Sequence, residues 1–374
     1  MNFGLSETQQ AIKDSAREFL SKEVPLTEVR RLIDTETAFN GDLWRKCAEQ
    51  GYLGMPFEEQ YGGVGLGPVE TAALLEEMGR ALLPGPFVST VLLSGTVLQS
   101  AGSEAHRQRH LAPLCRGEAR ATVAWLESTA SWDHRDVRMS ASVAGEGFEL
   151  SGEKLFVPDA AEAHILIVAA RSAASELLLL IVPRTSPGVR CAFTPGVDLT
   201  RRLYRVTFER VQVSSENVLA RGRAAENALN RALDATAAGL AAEMVGGIQQ
   251  LLDLTVAYAK TRSQFGRPIG SFQAVQHRCV DMLALLEGSR SAAYYAAWAL
   301  SQQDPGASRA VSVAKAYASD AFREAGNLSI QVHGGMGFTW ENDAHLYYRR
   351  AKGAELMCGD ATFHRARIAR AIVG

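Results

Sequence analysis

Hydrophobic positions along this chain change their period twice. From Ser6 to about Arg120 they recur every three to four residues, the spacing of helices that bury one face. Ser6-Glu-Thr-Gln sets Ser6 and Gln9 at a capping-box spacing ahead of the amphipathic run Ile12 to Val24. Leu43 to Gly51 reads as a helix closed by its C-terminal glycine, and Val69 to Leu83 as another helix. Between them, Glu59 to Gly65 is a glycine-rich turn. No strand precedes Gly62-Gly63 and no Lys-Ser/Thr follows, so a phosphate cradle is not read there.

From Thr122 to about Val218 the pattern shortens to alternating or continuous apolar runs. Phe148 to Phe156, His164 to Ala170, Leu177 to Val182 and Tyr204 to Val213 predict strands, punctuated by Gly145, Gly152, Pro183 and Pro187-Gly188. No helical stretch intervenes, so this piece should be antiparallel, a small barrel or sandwich. From about Ala224 the helical period returns. Leu240 to Tyr258, Asp281 to Gln302, Ala307 to Gly326 and Ala344 to Ala354 predict a terminal four-helix bundle. The Gly246-Gly247 pair within the first of these should permit close helix approach. The expected fold is therefore α+β. An N-terminal all-α domain spans 1–120, an antiparallel β-barrel or sandwich 121–218, and a C-terminal four-helix bundle 219–374.

Composition narrows the function classes. A formal charge of −2 leaves no basic footprint for a nucleic-acid partner. Five scattered cysteines without a Cys-x-x-Cys pair suit a reducing cytoplasm and give no zinc site. The start, Met1-Asn-Phe-Gly-Leu-Ser-Glu, lacks the basic and apolar regions of a signal peptide, and no apolar run is long enough for a transmembrane helix. The histidines, His333, His345 and His364 among them, make no metal-ligand spacing.

The candidate chemistry lies in the last third. Arg262-Ser-Gln-Phe-Gly-Arg-Pro-Ile-Gly-Ser-Phe-Gln273, taken with Gln331-Val-His-Gly-Gly335, closely resembles the flavin-gripping signature of acyl-CoA dehydrogenases. Gly51-Tyr-Leu-Gly-Met-Pro, Tyr61-Gly-Gly-Val-Gly-Leu and Leu111 to Glu118 resemble further landmarks of that family, and the domain order agrees throughout. The resemblance implies FAD bound at a subunit interface, an acyl-CoA substrate and a flavoprotein acceptor of the electron-transfer type. It also implies that Arg262, Phe265, Ile269, Gln273, Gln331, Gly334 and Gly335 contact the pyrophosphate and adenine end of a neighbouring subunit's FAD. An arginine fork suits a diphosphate, and paired glycines let backbone approach closely.

The chain departs from that pattern in one pocket. Cys358-Gly359 stands where the family shows Glu-Gly, and the missing glutamate is the base that removes the α-proton. Asp360 replaces a threonine. Leu126 and Pro158 replace hydroxyl-bearing residues that would face the flavin of this chain. A thiol is a poor carbon-acid base. Some relatives carry the carboxylate on the first bundle helix, where this chain has Thr236. Asp234 is rotated by roughly 200° from it and should point elsewhere. Glu243 is too far along the axis and reads as a buried helix carboxylate. These residues leave three readings open. The first is an auxiliary subunit that completes the FAD site of a second acyl-CoA dehydrogenase chain in an α2β2 enzyme for bulky CoA thioesters. The second is a self-sufficient homotetrameric dehydrogenase using Glu243 or Asp234 as base. The third is a flavin monooxygenase on the same fold, against which Leu126 and Pro158 count. Asp343 to Arg350 reads as a helix surface at a subunit interface.

Overall fold

In the computed structural model, residues 4–373 are described; Met1 to Phe3, part of the N-terminal reading above, lie outside that range. The N-terminal region is helical: α1 (Glu7–Glu23), α2 (Leu26–Ile33), α3 (Gly41–Glu49) and α4 (Pro68–Arg80). A π-helical stretch, Val88–Gly95, runs into α5 (Thr96–Ala101), followed by the short α6 (Glu104–His106) and α7 (Ala112–Cys115). The Ser6–Gln9 capping box opens α1, with the Gln9 N–H donating to Ser6 Oγ at 3.2 Å. Gly51 follows α3 at φ 75°, the left-handed conformation a glycine stop supplies.

Eight strands follow: β1 (Ala121–Ala124), β2 (Ala141–Ala144), β3 (Gly147–Pro158), β4 (Ile165–Arg171), β5 (Leu177–Pro183), β6 (Val189–Thr194), β7 (Leu203–Val213) and β8 (Val218–Arg221). They form two open sheets, β1-β4-β5-β8 and β2-β3-β7-β6. Of the two expected forms the sandwich is the one adopted, and no barrel closes. One pairing also departs from the antiparallel expectation: β1 runs parallel to β4. The chain reaches β4 only after building β2 and β3 in the other sheet, so no hairpin constrains that pair. Phe148, Leu150, Val206 and Phe208 from one sheet share a core with Leu166, Val168, Leu178 and Leu180 from the other. The alternate residues Ile167, Ala169, Leu179 and Ile181 join the helical core instead. With both faces covered, β4 and β5 must be apolar throughout, which is why they read as continuous runs.

The bundle comprises α8 (Gly222–Thr261), α9 (Gln273–Ser301), α10 (Ala307–His333), α11 (Ala344–Leu356) and α12 (Ala361–Val373). A two-stranded hairpin, β9 (Ser263–Gln264) and β10 (Arg267–Pro268), joins α8 to α9. The glycine pair in α8 does bring helices together. A Cβ on Gly246 would coincide with the carbonyl of Glu76 in α4, and one on Gly247 would enter the ring of Phe322 in α10. Among the described residues no helix is long and apolar enough to cross a membrane.

Candidate functional site

Between the β domain and the bundle lies a cleft of about 580 Å³, with Trp132, His134, Asp234, Ser308, Cys358 and Arg367 among its lining residues. Cys358 occupies the turn from α11 to α12. It takes a positive φ of 58°, followed by Gly359 at 99°, a strained turn for a residue with a side chain. Three groups fix that turn. Lys315 of α10, fully buried, donates from Nζ to the carbonyls of Gly359 (2.9 Å) and Glu355 (3.0 Å) and to Ser319 Oγ (3.2 Å). His364 donates through Nε2 to the Cys358 carbonyl at 2.9 Å. Asp360 caps α12, its carboxylate accepting the Phe363 N–H at 2.8 Å.

Burial governs the ionisation of this floor. It pushes the Cys358 thiol up to about 12, although Lys315 and Arg201 pull the other way. It pushes Lys315 down to about 8 and His364 down to about 3. A sealed thiol beside a lysine already spent on carbonyls is not poised to accept a proton from carbon.

The carboxylates nearby are all engaged. Asp234 was expected to point away, but it lines the same cleft as Cys358. The helical wheel gives its angle from Thr236 but not the side on which the cleft lies. Thr236 is the residue turned into the core, its hydroxyl donating to the Ala232 carbonyl at 2.7 Å. One Asp234 oxygen accepts from Arg367 at 2.8 Å and the other from Ser308 at 2.5 Å. Glu243 is the buried helix carboxylate the sequence suggested, held between Arg201 and Arg350. Arg350 corrects another expectation. It faces the interior of this chain, not a surface, with 2% of its side chain exposed, because Asp198, Thr200 and Glu243 surround it. An arginine at helix spacing with Leu346, Tyr347 and Ala354 was the available signal for its burial. Leu126 and Pro158 are both buried; Pro158 pairs with Leu203 in the β3–β7 ladder.

The residues of the flavin-gripping signature gather elsewhere. Arg262, Phe265 and Ile269 lie on the hairpin and turn after α8 and Gln273 opens α9, while Gln331 stands in the last turn of α10 and Gly334 and Gly335 follow it. Stacking of Tyr258 on His333, 4.4 Å between ring centres, ties these two chain ends together. Ile269 is half-buried, whereas Arg262, Phe265, Gln273, Gln331, Gly334 and Gly335 are exposed. Phe265 is 93% exposed. A Cβ on Gly334 or Gly335 would meet nothing within 4 Å. Asp234 and Arg262 are separated by 28 positions of α8 and its cap, roughly 40 Å along the axis. The exposed Arg262 guanidinium and the amides of Gln273 and Gln331 at the far end fit a diphosphate and its nucleoside. At the near end, the buried Pro158, Leu126 and Cys358 carry neither hydroxyl nor carboxylate. Among the described residues no cluster of His, Cys, Asp or Glu forms a metal site.

Comparison with known proteins agrees with this architecture. Residues 6–118 match the acyl-CoA dehydrogenase N-terminal domain and residues 203–373 the acyl-CoA dehydrogenase C-terminal domain. The chain is 32% identical over 384 aligned positions to the probable acyl-CoA dehydrogenase YngJ of Bacillus subtilis, covering 100% of both. It superposes on butyryl-CoA dehydrogenase from Megasphaera elsdenii with a TM-score of 0.92 at 25% identity, covering 100% of both chains. A chain of the ChsE4-ChsE5 complex from Mycobacterium tuberculosis matches with a TM-score of 0.90 at 27% identity, covering 100% of this chain and 99% of that one. This chain belongs to the acyl-CoA dehydrogenase family of FAD-dependent oxidoreductases.

Proposed function

We propose that this chain is the non-catalytic partner subunit of a heteromeric acyl-CoA dehydrogenase, completing the FAD site of a second chain of the same fold in an α2β2 assembly. The observation that carries this reading is the asymmetry between its two ends. The hairpin end presents Arg262, Gln273 and Gln331 to solvent with no side-chain partner among the described residues. At the cleft end the carboxylates of Asp234 and Glu243 are both ion-paired.

Bound FAD supplies acceptance of a hydride from the β-carbon of an acyl thioester, and the paired α-proton must go to a base. On this reading that base belongs to the catalytic partner. This chain contributes Arg262 as a fork on the diphosphate, with Gln273, Gln331 and the Gly334-Gly335 backbone orienting the remainder. The ChsE4-ChsE5 neighbour, itself a complex of two chains, supports such a pairing. Five unpaired cysteines favour a reducing cytoplasm, and a flavoprotein of the electron-transfer type is the acceptor the reading calls for.

The test is the FAD-to-chain ratio by absorbance, measured for the chain alone and after co-expression with a neighbouring dehydrogenase gene. The expected result is no flavin alone and half a flavin per chain with the partner. One flavin per chain alone sinks the proposal. A second reading, self-sufficiency with Asp234 as base, is favoured only by its place on the cleft wall. It requires flavin on the isolated chain and loss of turnover in D234N.

A further inference from the structure

The loop between β1 and β2 carries an inference of its own. Its polar groups are bonded within the loop itself and to the elements that flank it. Glu127 staples both ends, its carboxylate accepting the N–H groups of Arg138 and Met139 at 2.9 Å each and the buried Lys154 Nζ at 2.6 Å. The Ala130 N–H returns to the Glu127 carbonyl at 2.8 Å. Ser131 Oγ donates to Asp136 at 2.6 Å and accepts the Asp133 N–H at 3.2 Å, while Asp133 accepts the Arg135 N–H at 3.0 Å. The outer side is anchored as well. His134 Nδ1 lies 3.1 Å from Asn230 Oδ1 of α8, and Arg171 donates to the His134 carbonyl at 2.9 Å.

Between these anchors Trp132 lines the cleft from the β-domain side, with Cys358 on the bundle side. Its ring packs against Trp125 at 5.4 Å and 58°. Trp125 is 3% exposed, and its indole N–H has no acceptor among the described residues. A buried donor without a partner costs stability, and here it sits on the residue against which the Trp132 ring packs.

We propose that the stapled loop 127–139 is a built-in plug, with the Trp132 indole occupying the β-domain face on which this chain's own flavin ring would lie. This rests on the non-catalytic reading and supplies its physical cause. The own-flavin site is blocked by an aromatic side chain on a self-satisfied loop, not merely stripped of hydrogen bonds. The plug leaves the hairpin, which follows the far end of α8, free to serve the partner.

The test uses the full chain alone, titrated with FAD and followed by flavin fluorescence and equilibrium dialysis. W132G removes the indole, and W132F keeps an aromatic plug as control. Wild type and W132F should leave FAD unbound, whereas W132G should bind it at least about tenfold more tightly. Circular-dichroism melts establish that each variant folds, and W132S is read in place of W132G should the glycine variant unfold. A folded W132G or W132S with no gain in FAD affinity overturns the plug and leaves the non-catalytic reading standing. A wild-type chain that binds one FAD by itself overturns that reading and the plug together.

Discussion

Arg350 and Glu243 face each other between α11 and α8, with 2% and 5% of their side chains exposed. Around them Arg350 also reaches Asp198 at 3.1 Å, Thr200 Oγ1 at 2.8 Å and the Leu83 carbonyl at 3.1 Å, while Arg201 takes the other Glu243 oxygen. The cluster thus ties the β6–β7 loop and the end of α4 to two bundle helices. Its two cations and two anions balance, so removing one member strands the rest. R350M should cost about 3–5 kcal/mol of unfolding free energy in a urea titration. R350K should recover little, because an ammonium cannot reproduce the planar five-donor fork. A loss below 1 kcal/mol for R350M would show that water reaches the cluster.

Close packing at Gly246 makes a second, purely steric prediction. An added methyl there meets the Glu76 carbonyl, a backbone atom that cannot move aside without separating α8 from α4. G246A should therefore destabilise by about 3 kcal/mol or more. Gly145 is the contrast: an added Cβ meets nothing, and only its φ of 58° resists substitution. G145A should cost about 1–2 kcal/mol. Thermal melts of the two variants compare backbone collision with conformational strain.

Elements with a strong period were legible, and those without one were not. β5 could be read as a strand because both its faces are buried and every residue is apolar. β6 was missed because it is an edge strand alternating half-buried and exposed positions, with Arg190 and Cys191 blurring the pattern. The region from about Ala224 was read as helical, but the continuity of α8 ahead of Leu240 was not, because alanines give a helical wheel little contrast, and α12 was not set apart because arginines interrupt its apolar stripe. The departures at Cys358 and Asp360 were visible as letters. Asp360 as the cap of α12 is a local pattern that went unread, whereas the place of Asp234 in the cleft depends on where α10 and α12 pack. No local pattern encodes that packing.

Thiol chemistry should follow burial. Cys47, Cys115 and Cys358 are all pushed up to about 12 by desolvation, so on the order of one thiol in ten thousand is ionised at pH 8. Iodoacetamide labelling of the native protein, read by peptide mass spectrometry, should modify the half-buried Cys191 and Cys279 first. Early labelling of Cys358 would mean that the turn opens and that its thiol is more reactive than its surroundings allow.

At the hairpin end, cofactor grip and stability should separate. Gly335 is exposed, and its missing Cβ faces open space, so G335V should leave the melting temperature of the chain unchanged. In the proposed heteromer the same valine would stand between backbone and cofactor. R262A removes a charged fork worth about 1.5–3 kcal/mol, roughly a 10- to 150-fold loss of FAD affinity. Both variants should lower the flavin content of the co-purified complex while the isolated chain melts normally. Unchanged flavin content in both would place the cofactor's diphosphate elsewhere.

Asp159 gives the pH dependence a definite sign. Burial pushes its carboxyl up to about 6, against the pull of the Ser89 hydroxyl, which donates to it at 2.6 Å, and of Arg201 and Arg350. Glu162, by contrast, pushes it further up. The folded chain then holds a proton that the unfolded chain releases near pH 3.8. The stability this group contributes is complete below about pH 4 and is lost as pH rises through about 6. A shift of this size corresponds to about 3 kcal/mol. D159N keeps an oxygen for Ser89 and removes the titration. The difference in unfolding free energy between D159N and wild type, taken from urea titrations at pH 4, 5, 6 and 7.5, cancels the other carboxylates. It should grow in favour of the variant across this range and level off above pH 6. A flat difference would mean that Asp159 ionises as freely in the folded chain as in the unfolded one, and that the seam it shares with Ser89 is wet.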